Sequence, residues 1–228
     1  MADGPLSVLV LGIGNLLWAD EGFGVRAVEA FHRLYEFPPN VRVMDGGTQG
    51  IYLVQHIRKA DILIVFDAVD YGLPPGTIKI VEGDEVPQFL GIKKISLHQT
   101  GFQEVLAMAQ MLGDYPSHLL LIGVQPEELE DYGGSLRPVV RKKILPATET
   151  VIAYLEKHGV PVHRRCDALS ETDTIASGEI TLSNYENGRP GAHSAFRHGD
   201  DRVVSSDRWQ GPKDFELEVE RLVYGERK

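Results

Sequence analysis

Apolar residues fall into two alternating patterns over the first 160 positions. Leu6–Leu11, a short continuous apolar run, reads as a strand buried on both faces, Ile62–Phe66 is again apolar throughout, and Val41–Met44, Thr77–Val81 and Leu119–Val124 complete five predicted strands. Between them lie stretches of helical period. Gly24–Tyr35 places Val25, Val28, Phe31 and Leu34 on one face and stops at Pro38-Pro39. Gly50–Ile57 predicts a short helix. Thr100 and Gln103 form a capping-box pattern ahead of Phe102, Val105, Leu106, Ala109 and Leu112, and Gly113 supplies the stop. A last helical stretch, Pro138–His158, contains Pro146, where a kink or break is expected. Alternation of this kind predicts an α/β fold: a single three-layer domain with a mostly parallel five-stranded twisted sheet flanked by helices.

The pattern changes after Val160. Residues 161–228 are rich in Ser, Asp, Arg and Gly and lack sustained apolar periods, so a polar, loosely ordered extension is expected beyond a domain spanning 1–160. Within it only Phe215–Tyr224 regains apolar positions, as a possible short helix.

Bulk properties narrow the classes. At 228 residues and 43% hydrophobic, the chain can bury one ordinary core. A net charge of −10 disfavours nucleic acid and anionic membranes as partners. The single cysteine, Cys166, excludes an internal disulfide and sits in the polar extension, a poor setting for a nucleophile. No basic leader opens the sequence, and no run approaches the roughly 20 apolar residues of a membrane span. A cytoplasmic protein with no membrane insertion is the expectation.

Chemistry-bearing residues cluster where strands end. Gly12-Ile13-Gly14-Asn15-Leu16-Leu17-Trp18-Ala19-Asp20-Glu21 follows a strand and precedes a helix. A dinucleotide fingerprint needs a third glycine at position 17, which is Leu17, and the helix starts too late to meet a phosphate beside Gly14. Asp45 ends the second strand, where a ribose-binding acid could lie, so a nucleotide-binding oxidoreductase stays as a rival. Otherwise the loop serves to display Asp20 and Glu21 over the carboxyl edge of the sheet. Asp20 reads better as a first-turn acid at a helix N-terminus. Asp67 ends a wholly apolar run, a costly place for an acid unless it is paired or ligated. Asp70, in Asp70-Tyr71-Gly72, reads as a turn acid. His98 precedes the capping box, on a strand-to-helix connection. Two carboxylates and an imidazole drawn together favour a divalent cation, and mixed oxygen and nitrogen ligation suits nickel and zinc alike. No His-Glu-x-x-His helix and no Gly-x-Ser-x-Gly elbow is present.

These motifs, in this order, resemble the [NiFe]-hydrogenase maturation protease family. The resemblance rests on Gly12–Leu17, Asp20-Glu21, Gly24-Val25-Arg26, Asp45-Gly46-Gly47-Thr48, the strand ending at Asp67, Ser96-Leu97-His98-Gln99 and Ile122–Glu127, and covers roughly residues 6–158. It implies a compact α/β endopeptidase that cuts a C-terminal extension from the hydrogenase large-subunit precursor once nickel is in place. It further implies that Glu21, rather than Asp20, together with Asp67 and His98 contacts the metal, with nickel carried by the substrate and zinc a possible stand-in for the isolated protein. The same resemblance points to Asp45 as a contributor to cleavage or to substrate positioning. A checkpoint protein or metallochaperone that binds the precursor without cutting it is the second rival.

Overall fold

The computed structural model describes residues 4–90, 101–170, 173, 175 and 178–189. His98, Thr100 and the stretch Phe215–Tyr224 lie outside the described residues. In chain order the elements are β1 (Val8–Ile13), α1 (Phe23–Leu34), β2 (Tyr35–Glu36), β3 (Val41–Gly47), α2 (Val54–Ile57), β4 (Ile62–Ala68), β5 (Ile78–Glu82), α3 (Val86–Leu90), α4 (Gly101–Met111), β6 (His118–Val124), α5 (Pro138–Arg141), α6 (Ile144–Lys157), β7 (His163–Arg164) and α7 (Leu182–Gly188).

Five strands form one sheet in the order β3-β1-β4-β6-β5. All neighbours are parallel except β5, which runs antiparallel to β6 at the edge. The sheet is therefore mostly parallel, as the apolar runs predict. Side chains alternate across it. Val10, Ile64, Phe66 and Ile122 face a core shared with α1 and α6, through Phe23, Val28, Phe31, Val151 and Leu155. Leu9, Leu11, Leu63, Val65 and Leu121 face the opposite core, closed by α2 and α4 through Ile57, Phe102, Val105 and Leu106. The three-layer arrangement follows directly from runs that are apolar on both faces.

Three expectations are corrected. The helix expected over Pro138–His158 is two helices, α5 and α6, divided at Lys142-Lys143 rather than at Pro146. Pro146 sits in the first turn of α6, where a missing N–H costs nothing because those groups have no intrahelical acceptor. Leu112, counted with the apolar face of α4, lies past the helix end and is half exposed, while Gly113 takes the left-handed φ of +81° that ends the helix. The second strand runs on through Gly47. Its register with β1 slips there, Gly12 opposing Asp45 and Ile13 opposing Gly47, with Gly46 the extra residue of a bulge.

The described residues that follow Val160 stay on the body. Val160 and Val162 join the α1-side core, β7 pairs antiparallel with β2, and the Leu169 N–H bonds to the Arg33 carbonyl at 3.0 Å. Among the described residues no helix is long and apolar enough to cross a membrane.

Candidate active site at the carboxyl edge of the sheet

Glycines decide how the first loop sits. A Cβ on Gly24 would stand 2.1 Å from the Ile13 carbonyl oxygen and 2.3 Å from that of Phe66. One on Gly12 would meet the Gly24 carbonyl oxygen at 2.3 Å, and one on Gly14, whose φ is +139°, would meet the Glu21 carbonyl oxygen at 1.8 Å. The start of α1 thus lies directly on the backbone ends of β1 and β4. In this fold these glycines serve backbone-on-backbone packing. α1 begins at Phe23, nine residues past Gly14, and the backbone of Glu21 and Gly22 packs on Gly14, so the protein's own chain fills the space beside that turn.

The intervening loop is tightly folded. The Asn15 side chain accepts the Leu17 N–H at 3.0 Å, and the Trp18 carbonyl accepts the Glu21 N–H at 2.9 Å. Ala19 is held at a φ of +39°, an unusual cost for a residue with a side chain. A second loop, between β6 and α5, locks onto it. The Leu17 carbonyl accepts the Gly133 N–H at 2.7 Å, and the Trp18 and Tyr132 rings meet edge to face at 5.1 Å.

Asp20 ties the two loops together. It is fully buried, and its carboxylate accepts three backbone N–H groups: Glu127 at 2.9 Å, Glu128 at 3.0 Å and Arg137 at 2.7 Å. Asp20 lies in the first turn of a short 3-10 helix, Ala19–Gly22, as expected of a first-turn acid, but the donors that hold its carboxylate come from a loop more than a hundred residues away. Asp20→Ala strands those donors. At about 1–3 kcal/mol for each buried group left unpaired, a loss of roughly 3–5 kcal/mol is expected. Urea unfolding of the variant measures it, and a loss below about 1 kcal/mol would contradict this role.

Glu21 follows and is 7% exposed; Asp67, in β4 opposite Gly123, is 2% exposed. Both belong to the same end of the β1–β4 pair. The Glu21 carbonyl presses on Gly14 at the end of β1, and Asp67 follows Phe66, whose carbonyl presses on Gly24. Asp67 lies on the row of Val65, the face that carries α2 and α4. The Tyr71 ring covers Gly123 on that row. Burial and then the Asp67 charge push the Tyr71 phenol above its ordinary range. Gln125, which the sequence reading passed over, fixes this loop. Its side-chain oxygen accepts the N–H groups of Tyr71 at 2.8 Å and Leu73 at 3.1 Å, and its amide donates to Asp70 at 2.9 Å. Asp70 also accepts the Gly72 N–H at 2.9 Å, the behaviour of the turn acid expected there.

Asp45 stands apart. It shares a row with Gly12 and Phe66, so its side chain belongs to the α1 face, opposite that of Asp67. Two strand spacings separate it from β4, about 10 Å. Its carboxylate accepts the Gly47 N–H at 2.8 Å. Burial raises its pKa, and the Gly47 bond and the nearby Arg26 charge offset part of that. Arg26 itself is buried and bonds Glu29 at 2.9 Å. The sequence reading missed it, because an arginine two residues past a helix start looks like ordinary surface.

Comparison with known proteins decides what this edge belongs to. A family model described as hydrogenase maturation protease matches residues 25–154. The hydrogenase expression/formation protein HupD of Thiocapsa roseopersicina is 64% identical over 199 residues, covering 87% of this chain and 90% of the relative. The chain belongs to the hydrogenase maturation protease family. Similar too is the hydrogenase 2 maturation protease of Escherichia coli K12, 44% identical over 156 residues, 68% of this chain and 94% of that protein. The solved structure of the hydrogenase maturating endopeptidase HybD from E. coli superposes with a TM-score of 0.66 at 42% identity, covering 70% of this chain and 98% of that one.

Glu21 and Asp67 thus belong to the same end of the β1–β4 pair, and the side chain of Asp45 belongs to the other face. Among the described residues no three His, Cys, Asp or Glu side chains gather closely enough to hold a metal, and His98 is not among them. The α4 helix, which begins three residues after His98, packs on the sheet face to which Asp67 belongs.

Proposed function

We propose that the chain is an endopeptidase that removes the C-terminal extension of a [NiFe]-hydrogenase large-subunit precursor after nickel insertion. Glu21, Asp67 and His98 then contact the nickel carried by that substrate, in the cytoplasm. The observation carrying this reading is the burial of Glu21 and Asp67 at one end of two central parallel strands, locked by Gly12, Gly14 and Gly24. Buried carboxylates are costly without a cation or strong donors, and a divalent metal supplies that compensation. The edge of an open parallel sheet is also where α/β proteins bind ligands.

Peptide hydrolysis adds water across the amide. The water oxygen bonds to the carbonyl carbon, its proton passes to a base, and the leaving amine takes up a proton. Carboxylates beside the nickel are placed to orient that water. Asp45 reaches the reaction through position rather than direct attack, because its side chain belongs to the α1 face with Arg26 and Glu29. Leu17 and Tyr132, each nearly half exposed on the two loops that meet at Asp20, give the precursor an apolar rim to lie against.

Mass spectrometry of a nickel-loaded precursor after incubation with the protein tests the reading. The expected result is loss of the C-terminal segment. A precursor that is bound but keeps its full mass would establish a checkpoint protein or chaperone instead.

A further inference from the structure

The described end of the extension, residues 178–189, reaches back to the loop that carries Glu21. A turn at Gly178–Ile180 leads into α7, whose N-terminal Thr181 side chain accepts the Asn184 N–H. The outward contacts of α7 go to two places. The Tyr185 hydroxyl donates to the Gly134 carbonyl at 3.2 Å, and Glu186 accepts from the Ser135 hydroxyl at 2.7 Å and from Arg141 at 2.9 Å. These grip the loop between β6 and α5. On the other side, Arg26 of α1 donates to the Ile180 carbonyl at 2.7 Å, with its guanidinium 5.8 Å from the centre of the Tyr185 ring. Between the two, Tyr185 closes over Leu16, Ala19, Gly22 and Leu136, leaving a gap of only about 10 Å³. Leu16, Ala19 and Gly22 surround Glu21 in sequence.

We propose that α7 is a clasp for the Glu21 loop, with Tyr185 and Glu186 as its positioning residues. Asp20 joins the two loops from within, and α7 spans them from outside. Ala19, held at positive φ, is the residue of that loop whose conformation most needs an external hold. Polar sequence conceals such a role, because the grip consists of hydrogen bonds and one aromatic ring rather than an apolar stripe. The inference rests on the assignment of Glu21 to the substrate-facing site.

The test pairs Tyr185→Phe with Glu186→Ala in the full chain and reads two quantities. In amide hydrogen exchange, the segments 16–22 and 133–136 should exchange roughly tenfold faster, with β4 and α6 unchanged, since two hydrogen bonds that order the loops are lost. On nickel-loaded precursor, kcat should fall several-fold with KM nearly constant, because a docked substrate meets a misplaced Glu21. Unchanged exchange in 16–22 would overturn the proposal. So would faster exchange in every element alike, which marks loss of general stability only. If the unsubstituted protein cleaves no precursor, the endopeptidase reading fails, and the exchange measurement still decides the clasp.

Discussion

Gly24→Ala should cost the protein roughly 4 kcal/mol or more, a large fraction of the stability of a typical domain. The added methyl would overlap two carbonyl oxygens, of Ile13 at 2.1 Å and of Phe66 at 2.3 Å. Both belong to the ends of central strands of the sheet, so neither neighbour is a flexible tip that can swing aside. Relief requires α1 to lift off β1 and β4, which opens the core around Phe23, Val28 and Phe31. Gly14→Ala should behave similarly, combining a 1.8 Å approach to the Glu21 carbonyl oxygen with a φ of +139°. Gly113 is the control. It also has positive φ, +81°, yet nothing lies within 4 Å of its Cβ position, so alanine there should cost only about 1–2 kcal/mol of backbone strain. Thermal or urea unfolding separates the cases. Equal losses at Gly24 and Gly113 would show that close packing of α1 on the sheet is not what these glycines provide.

Glu21→Gln, Asp67→Asn and His98→Ala should each reduce processing of nickel-loaded precursor by at least about a hundredfold. The first two substitutions keep shape while removing charge and exchange one acceptor oxygen for an NH2 donor, so the fold should persist and melting temperature should move little. That distinguishes them from Asp20→Ala, whose defect is one of stability. Asp45→Asn should be milder than any of the three, since Asp45 belongs to the α1 face with Arg26 and Glu29 rather than to the row of Asp67. A His98→Ala protein that processes precursor at the original rate would remove the histidine from the site.

The centre of the sheet was legible because β1, β4 and β6 are apolar on both faces, a pattern that few other elements share. Ile62–Phe66 and Leu119–Val124 are clear instances. The break between α5 and α6 was not legible, since a proline in a first helical turn looks the same in sequence as one that kinks a helix. Asp45 could be found but not oriented: placing it against α1 needs the pairing of β3 on β1, in which Asp45 opposes Gly12. Asp20 was legible as a first-turn acid, but its tie to the second loop was not. Its donors, the N–H groups of Glu127, Glu128 and Arg137, lie far along the chain, and backbone groups leave no mark on side-chain patterns. Glu21 and Asp67 were accessible because an acid at the end of an apolar strand, or beyond a glycine turn, stands out against its neighbours. The hold of α7 on the Glu21 loop depends on Tyr185 and Glu186, two residues that read as surface in a polar stretch.

Cleavage of one precursor prepared in two forms, nickel-loaded and nickel-free, tests the central claim most directly. Loss of the C-terminal segment followed by mass spectrometry should occur with the loaded form and be at least tenfold slower with the free form, because the contacts of Glu21, Asp67 and His98 to the metal would be missing. Equal rates on the two forms would contradict nickel reading by these residues.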